Sequence, residues 1–338
     1  MKKPLLSYAS YKFAYFCFVA VSILSSINIY IGCNIDSLVT ETDNTVVIDA
    51  DDTPVVDIAA VLQNDYKYKT PTISDELEHQ ESDIHDCGSS PDFHNFFLQP
   101  KQTSRSIDNE DKIVYEKFFK NNIDVEGTYI ELGAYDGVRE ANTRFFDTCL
   151  KWKGLLIEGN PRMYEKLVTN RPNTHRMSFA PSCLQWNQTV TFYNTKYTNS
   201  GMKGHATQYD SKDNITYTSN IQVPCGPIGP VIEHVFPGKV DLLPRINFFS
   251  LDVEGAEKLV LDTIDFSRVQ IDIFMIEIQN NNCKKGTRCE VRDQVRKIMN
   301  DAGYVKYEDI VRFGDVYIHP NFQSSPFKKK DTNLRQQR

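Results

Sequence analysis

The sequence predicts an α/β fold with a mostly parallel, doubly wound sheet over residues 112–322 of the 338 in this chain. Three observations carry that prediction. Short apolar runs alternate with stretches of helical periodicity from about residue 112 onward. Two of the runs, INFFSLDV (246–253) and IDIFMIEI (271–278), are apolar almost throughout, as in strands covered on both faces. TYIELG (128–133) and GLLIEG (154–159) each end in glycine, where a strand can turn tightly toward a helix.

Along the chain, KIVYEKFFKN (112–121) suits a short helix, and 128–133 is the first strand. Residues 138–150 suit a helix with Phe145, Phe146, Cys149 and Leu150 apolar. The second strand, 154–159, leads to a helix over 161–168 that opens with Pro161, where the missing N–H costs nothing. HRMSFAPSCL (175–184) holds a third strand. Residues 188–224 alternate Thr, Val, Phe and Tyr with polar residues around Gly201 and Gly204, the pattern of an antiparallel β insertion. The strand at 246–253 is central, 256–264 is helical, and 271–278 is a further buried strand. Val291, Val295, Ile298, Met299 and Ala302 share one face of a helix over 290–302. Residues 303–318 suit a closing hairpin, and 323–338 form a basic, polar tail.

The first third of the chain has another character. Residues 13–33 hold no charged side chain, and as a helix they reach about 32 Å, enough for one bilayer core. Lys2, Lys3 and Lys12 precede this run, and Asp36, Glu41 and Asp43 follow it. The bias predicts a cytosolic tail (1–12), a signal anchor (13–33), and everything after it in the lumen or outside the cell. A cleaved signal peptide is the alternative, against which the run is longer than the usual apolar core. Residues 34–111 carry 18 acids and four bases, with Pro54, Pro71, Pro91 and Pro100, and read as an extended, mostly disordered acidic stem. The remaining net charge is mildly positive and spread out, so no nucleic-acid face is predicted.

Six of the eight cysteines lie beyond residue 33, an even number that suits an oxidising compartment. Cys283 with Cys289 is the expected close pair; Cys183 with Cys225 and Cys87 with Cys149 complete one of fifteen connectivities. No Cys or His pair repeats at ligand spacing, so no metal is expected. Asn187-Gln188-Thr189 and Asn214-Ile215-Thr216 are glycosylation acceptors on the same side of the membrane.

Acids stand at four predicted strand ends, where α/β sheets bind ligands. They are Glu131, in E-L-G-A-Y-D-G (131–137); Glu158; Asp252 with Glu254, in D-V-E-G; and Glu277. The glycines of the first loop let backbone come close to a ligand, but the spacing lacks the lysine of a phosphate loop. An acid like Glu158 can accept hydrogen bonds from both hydroxyls of a ribose. Each acid could instead cap the following helix.

These motifs, with NTRFF, W-x-GLLIEGNP and above all SLDVEGAEKLVLDTIDF, resemble the FkbM-type S-adenosylmethionine-dependent methyltransferases over about residues 112–320. The resemblance implies a Rossmann-like methyltransferase fold, S-adenosyl-L-methionine as cofactor and a hydroxyl-bearing acceptor of glycan, lipid or small-molecule type. It places Glu131, Gly133, Ala134, Tyr135, Asp136 and Gly137 at the methionine end of the cofactor and Glu158 on its ribose. Asp252 is then the leading catalytic base, with Glu254 and Glu277 as alternatives. The segment after the third strand, Phe179–Cys183, lacks the acid that usually meets adenine. The layout of short tail, span, acidic stem and FkbM-like domain is also similar to the Star family of animals. That likeness implies the alternative of a trafficking factor that binds membrane-bound cargo in the secretory pathway.

Overall fold

The computed structural model describes residues 58–64, 66–72, 87–121, 127–194, 200–205, 219–239, 242–278, 287–307 and 310–322. The expected membrane span, the tails at both ends, Asn214 and the Cys283–Cys289 pair lie outside the described residues or their described side chains. Among the described residues no helix is long and apolar enough to cross a membrane.

Seven strands form the main sheet: β1 (Thr128–Leu132), β2 (Lys153–Ile157), β3 (His175–Met177), β7 (Arg245–Leu251), β8 (Gln270–Glu277), β9 (Val305–Tyr307) and β10 (Gly314–Ile318). Their order is β3-β2-β1-β7-β8-β10-β9. Pairs from β3 through β8 are parallel, while β10 runs antiparallel to both β8 and β9. A second sheet, the antiparallel insertion expected from the alternating pattern, joins β4 (Gln188–Asn194), β5 (Gly201–Met202) and β6 (Ser219–Cys225) in the order β5-β4-β6. Residues of alternate parity feed two cores, one on each face of the main sheet. Leu132, Ile157, Phe249, Leu251, Phe274 and Ile276 face one; Tyr129, Leu156, Phe248 and Met275 face the other. Covering both faces is what makes 246–251 and 271–276 apolar throughout.

Helices α1 (Ile58–Asn64), α2 (His94–Leu98), α3 (Glu110–Val114), α4 (Arg144–Thr148), α5 (Pro161–Asn170), α6 (Gly229–Val235), α7 (Glu257–Leu261) and α8 (Thr287–Asp301) complete the described elements. α3 continues into one π-helical stretch, Tyr115–Phe119. α5 starts as expected, with Asn160 accepting from the Arg162 N–H and Pro161 at its first position.

Two expectations need correction. The acidic composition predicts a disordered stem through residue 111, yet parts of it are integral to the fold. Leu62 and Tyr66 are buried in the first core, and Lys69 exchanges two backbone hydrogen bonds with Arg176 at the β3 edge. Phe93, Phe96 and Cys87 are buried in the second core. Arg105 and Asp111 form an ion pair at 2.6 Å with both side chains fully buried, and Ser106 donates to the same carboxylate. High acidity masked a sparse set of anchoring residues, and one of the acids is neutralised inside the protein. The compact unit accordingly begins near Val56.

The helix expected over 138–150 is confined to α4. Glu140 sits in the left-handed region at φ 58°. The buried Glu131 carboxylate takes hydrogen bonds from the Asn142 N–H and the Thr143 hydroxyl. That capture holds 138–143 as a loop, and the helix starts only after it.

Two of the expected disulfides are present, Cys87–Cys149 and Cys183–Cys225. The first ties the N-terminal segment to α4; the second fastens the small sheet to the loop after β3. Closing loops of 62 and 42 residues stabilises the fold by about 4 kcal/mol each in the chain-entropy account.

Candidate active site

Strand register explains why distant acids meet. Leu132 of β1 pairs with Ile157 of β2 and with Leu251 of β7, and Leu251 pairs with Ile276 of β8. The next residue of each strand or the loop after it (Gly133, Glu158, Asp252 and Glu277) therefore emerges along one edge of the sheet. Strand order reverses between β1 and β7, where an α/β sheet opens its ligand crevice. A cleft open to solvent lies there, at the place in such a sheet where small-molecule sites form.

Its floor is the loop after β1. Gly133 adopts φ +80°, and a Cβ there would lie 1.9 Å from the Asp252 carbonyl oxygen. Only glycine permits this approach of the β1 and β7 ends. Tyr135, Glu140 and Glu254 are non-glycine residues with φ of 49°, 58° and 58°, and all three line the cleft. Such conformations cost on the order of 1 kcal/mol or more each and gather at functional sites.

Glu158 lines one side. Its carboxylate accepts from the Tyr135 N–H at 2.8 Å and the Asn160 N–H at 2.6 Å. Burial nonetheless pushes it up to about 7, against the two backbone hydrogen bonds. One lone pair on each oxygen stays open for a hydroxyl donor. Phe179, Ala180 and Pro181, with Phe192 and Met202 from the small sheet, make an apolar flank. Gly159 makes room for the Phe192 ring, which would lie 2.6 Å from a Cβ. The segment without an acid, 179–182, thus offers apolar surface and the Ser182 hydroxyl.

Asp252, Glu254 and Glu277 bring carboxylate oxygens within 4.8 Å of one another. Burial, then the charges of Glu277 and Glu254, pushes Asp252 well above the usual carboxylate range. A group so placed holds a proton readily and, once ionised, is a strong acceptor. The spacing could also hold a divalent cation.

Not every expected site residue faces the cleft. Glu131, Gly133, Ala134, Tyr135, Glu158, Asp252 and Glu254 line it. Glu131 spends both oxygens on Asn142 and Thr143, so it shapes the wall rather than presenting a free carboxylate. Asp136 and Gly137 are not among the lining residues. The Asp136 carboxylate caps the turn by accepting from Val138 and Arg139 N–H. The Gly137 carbonyl accepts from the buried Arg171, which also bonds Asp147 and the Tyr129 hydroxyl. Glu277 lines an adjoining chamber instead.

Three residues escaped the sequence reading. Glu257 accepts from the Val253 and Gly255 N–H groups and is pushed up to about 7 by burial; it, not Asp252 or Glu254, caps the D-V-E-G turn. An acid two residues after glycine at a helix start was the available signal. Glu110 and Glu140 reach the adjoining chamber from loops and helix starts with no motif to mark them.

Residues 131–306 match the Methyltransferase FkbM domain. No curated protein sequence matches the chain. Among solved structures it is similar to Aeropyrum pernix fibrillarin with natively bound S-adenosyl-L-methionine (11% identity, 57% of this chain and 66% of that one, TM-score 0.31). It is similar to Methyltransferase FkbM of Methylobacillus flagellatus KT (12%, 58% and 44%, TM-score 0.32). It is also similar to precorrin-6y C5,15-methyltransferase of Geobacter metallireducens GS-15 (12%, 62% and 85%, TM-score 0.30). The chain thus spans less than two thirds of the first two. With the family match covering more than half of its residues, and the crevice at the ends of β1, β2 and β7 formed within that match, the chain belongs to the FkbM methyltransferase domain family.

Proposed function

We propose that the cleft binds S-adenosyl-L-methionine and that the protein transfers its methyl group to a hydroxyl of a second substrate. The observation that carries this reading is the in-register row of Gly133, Glu158 and Asp252 along one open cleft. The residues fit the cofactor. Glu158 offers acceptor oxygens to ribose hydroxyls, and the Phe179, Phe192 and Met202 side chains offer apolar surface to a base. The backbone of Gly133 and Ala134 lines the cleft where the amino-acid end would lie. When bound, the cofactor supplies an electrophilic methyl group on a positively charged sulfur.

The protein's own part is alignment and proton handling. The acid cluster of Asp252, Glu254 and Glu277 provides a negative field beside a cationic cofactor even with Asp252 protonated. Asp252, once ionised, would take the hydroxyl proton as the methyl group passes from sulfur to the acceptor oxygen, the C–S bond breaking to leave neutral S-adenosyl-L-homocysteine; its raised proton affinity suits that role. Glu277, hydrogen-bonded to Asp252, orients its carboxyl group.

The same proposal sets the domain on the non-cytosolic side of a membrane, held by residues 13–33. The uncharged run, the two disulfides and the exposed Asn187 of a glycosylation triplet support it. A glycosidase-sensitive mass at Asn187 in protein from cells would agree; an unglycosylated, fully reduced protein would not.

Calorimetric titration of S-adenosyl-L-methionine into the oxidised full chain tests the cofactor reading. Binding that is lost in Glu158→Ala, with the thermal transition retained, supports it. A folded wild type that takes up no cofactor overturns it, and leaves the Star-like role of a cargo-binding module as the better account.

A further inference from the structure

A second chamber of about 290 Å³ adjoins the cofactor cleft. The two share Glu140, Asn142, Asp252 and Glu254 as common wall. We propose that this chamber is the acceptor site and that it takes a sugar free of negative charge, either neutral or amino-substituted. The proposal rests on the methyltransferase reading above and adds the class of acceptor to it.

Location comes first. A molecule in the chamber touches Asp252, Glu254 and Glu277, two of which also line the cofactor cleft. A hydroxyl there can reach both the proposed base and a methyl group presented from the cleft.

Charge comes second. Five of the lining side chains are carboxylic acids (Glu110, Glu140, Asp252, Glu254 and Glu277), and among the described residues no Lys, Arg or His lines the chamber. Two described cations lie near, one paired with an acid of the shared wall and one with Asp108. Arg139 lies 3.6 Å from Glu140 and lines the cofactor cleft. Arg312 pairs with Asp108 at 3.6 Å with its side chain 68% exposed. A carboxylate or phosphate entering here would meet five acids, against one described cation at the wall, Arg139 on Glu140. Hydroxyl and ammonium groups are donors that carboxylates accept well.

Shape comes third. Met275, Val311 and Phe313 give the chamber an apolar side facing the acids. A pyranose presents the matching pair of surfaces, C–H faces for an aromatic ring and hydroxyl edges for carboxylates. A lipid chain would want apolar lining throughout.

The chamber's outer wall comes from Ile107 and Glu110 on one side and Val311, Phe313 and Gly314 on the other. All five lie outside the stretch that matches the family, residues 131–306. The cofactor side is built from sequence within the family match, whereas the acceptor side is closed by segments outside it. Gln102, from the same N-terminal segment, donates to the Glu140 carboxylate at 2.9 Å and fixes the shared wall.

Saturation-transfer NMR on the disulfide-intact full chain tests this with three probes: methyl glucoside, glucosamine and glucuronic acid. Each is run with and without S-adenosylhomocysteine, whose own binding is measured by calorimetry. The expected result is transfer to methyl glucoside and glucosamine, with glucuronic acid at least tenfold weaker. Phe313→Ala should weaken both favoured sugars at least tenfold while S-adenosylhomocysteine binding stays as in wild type. The isosteric Glu110→Gln should narrow the gap between glucosamine and glucuronic acid. Glucuronic acid binding as well as the neutral sugar, no transfer to any sugar, or sugar binding indifferent to both substitutions would each overturn the proposal. Failure of S-adenosylhomocysteine alone to bind counts against the cofactor reading, and the sugar arms without it still decide the acceptor class.

Discussion

Replacing Glu158 by Gln keeps the side chain's size and removes its titration. Burial lifts this carboxyl from an ordinary 4.5 to about 7. Between those values the folded chain holds the proton and the unfolded chain does not. The stability it confers is therefore complete below the lower value and is lost as pH rises through the upper one. At about 1.4 kcal/mol per pH unit of difference, the full loss is on the order of 3 kcal/mol. Glu257, raised to about 7 by the same cause, adds a slope of the same sign that Glu158→Gln leaves in place. Urea denaturation of wild type and variant at about pH 5 and about pH 8 isolates the Glu158 part. The wild-type stability should fall by roughly 2 to 3 kcal/mol more than that of the variant. Equal falls in the two proteins would refute the reasoning. Cofactor affinity should move the opposite way. Ribose hydroxyls donate to the ionised carboxylate, so affinity should rise by up to tenfold per pH unit below about 7 and level off above it. Calorimetry in two buffers of different ionisation enthalpy would register the released proton.

Arg105→Met should cost about 3–5 kcal/mol, because it strands the fully buried Asp111 carboxylate without its partner; a urea midpoint within error of wild type would show that this segment is not docked. Gly133→Ala should lower stability by more than about 2 kcal/mol, since its Cβ would overlap the Asp252 carbonyl at a φ of +80°; an unchanged thermal midpoint would contradict the close approach of β1 and β7. Cys87→Ser should cost about 4 kcal/mol through its 62-residue loop, and a non-reducing peptide map should recover the 87–149 and 183–225 pairs.

Much of the fold was legible in one dimension because its signals are local. Unbroken apolar runs identify β7 and β8, glycines mark the ends of β1 and β2, and Asn160-Pro161 starts α5. These depend on backbone sterics and burial period, which act over a few residues. The acids at the strand ends were legible for the same reason, since a strand end is itself a local feature.

What the sequence settled by itself is the α/β class, the antiparallel insertion, the acids at the strand ends and the family to which they point. The tertiary structure decided which acids share a site. Register alone carries Gly133, Glu158, Asp252 and Glu277 to one edge, and pairing between strands more than 100 residues apart leaves no trace in local composition. It also decided that Glu131, Asp136 and Glu257 hold loops, because hydrogen-bond partners are chosen by geometry and not by residue type. Finally it drew part of the acidic N-terminal segment into the core. A charge run reads as solvated until a distant structure supplies the partner, and here Arg105 neutralises Asp111 inside the protein.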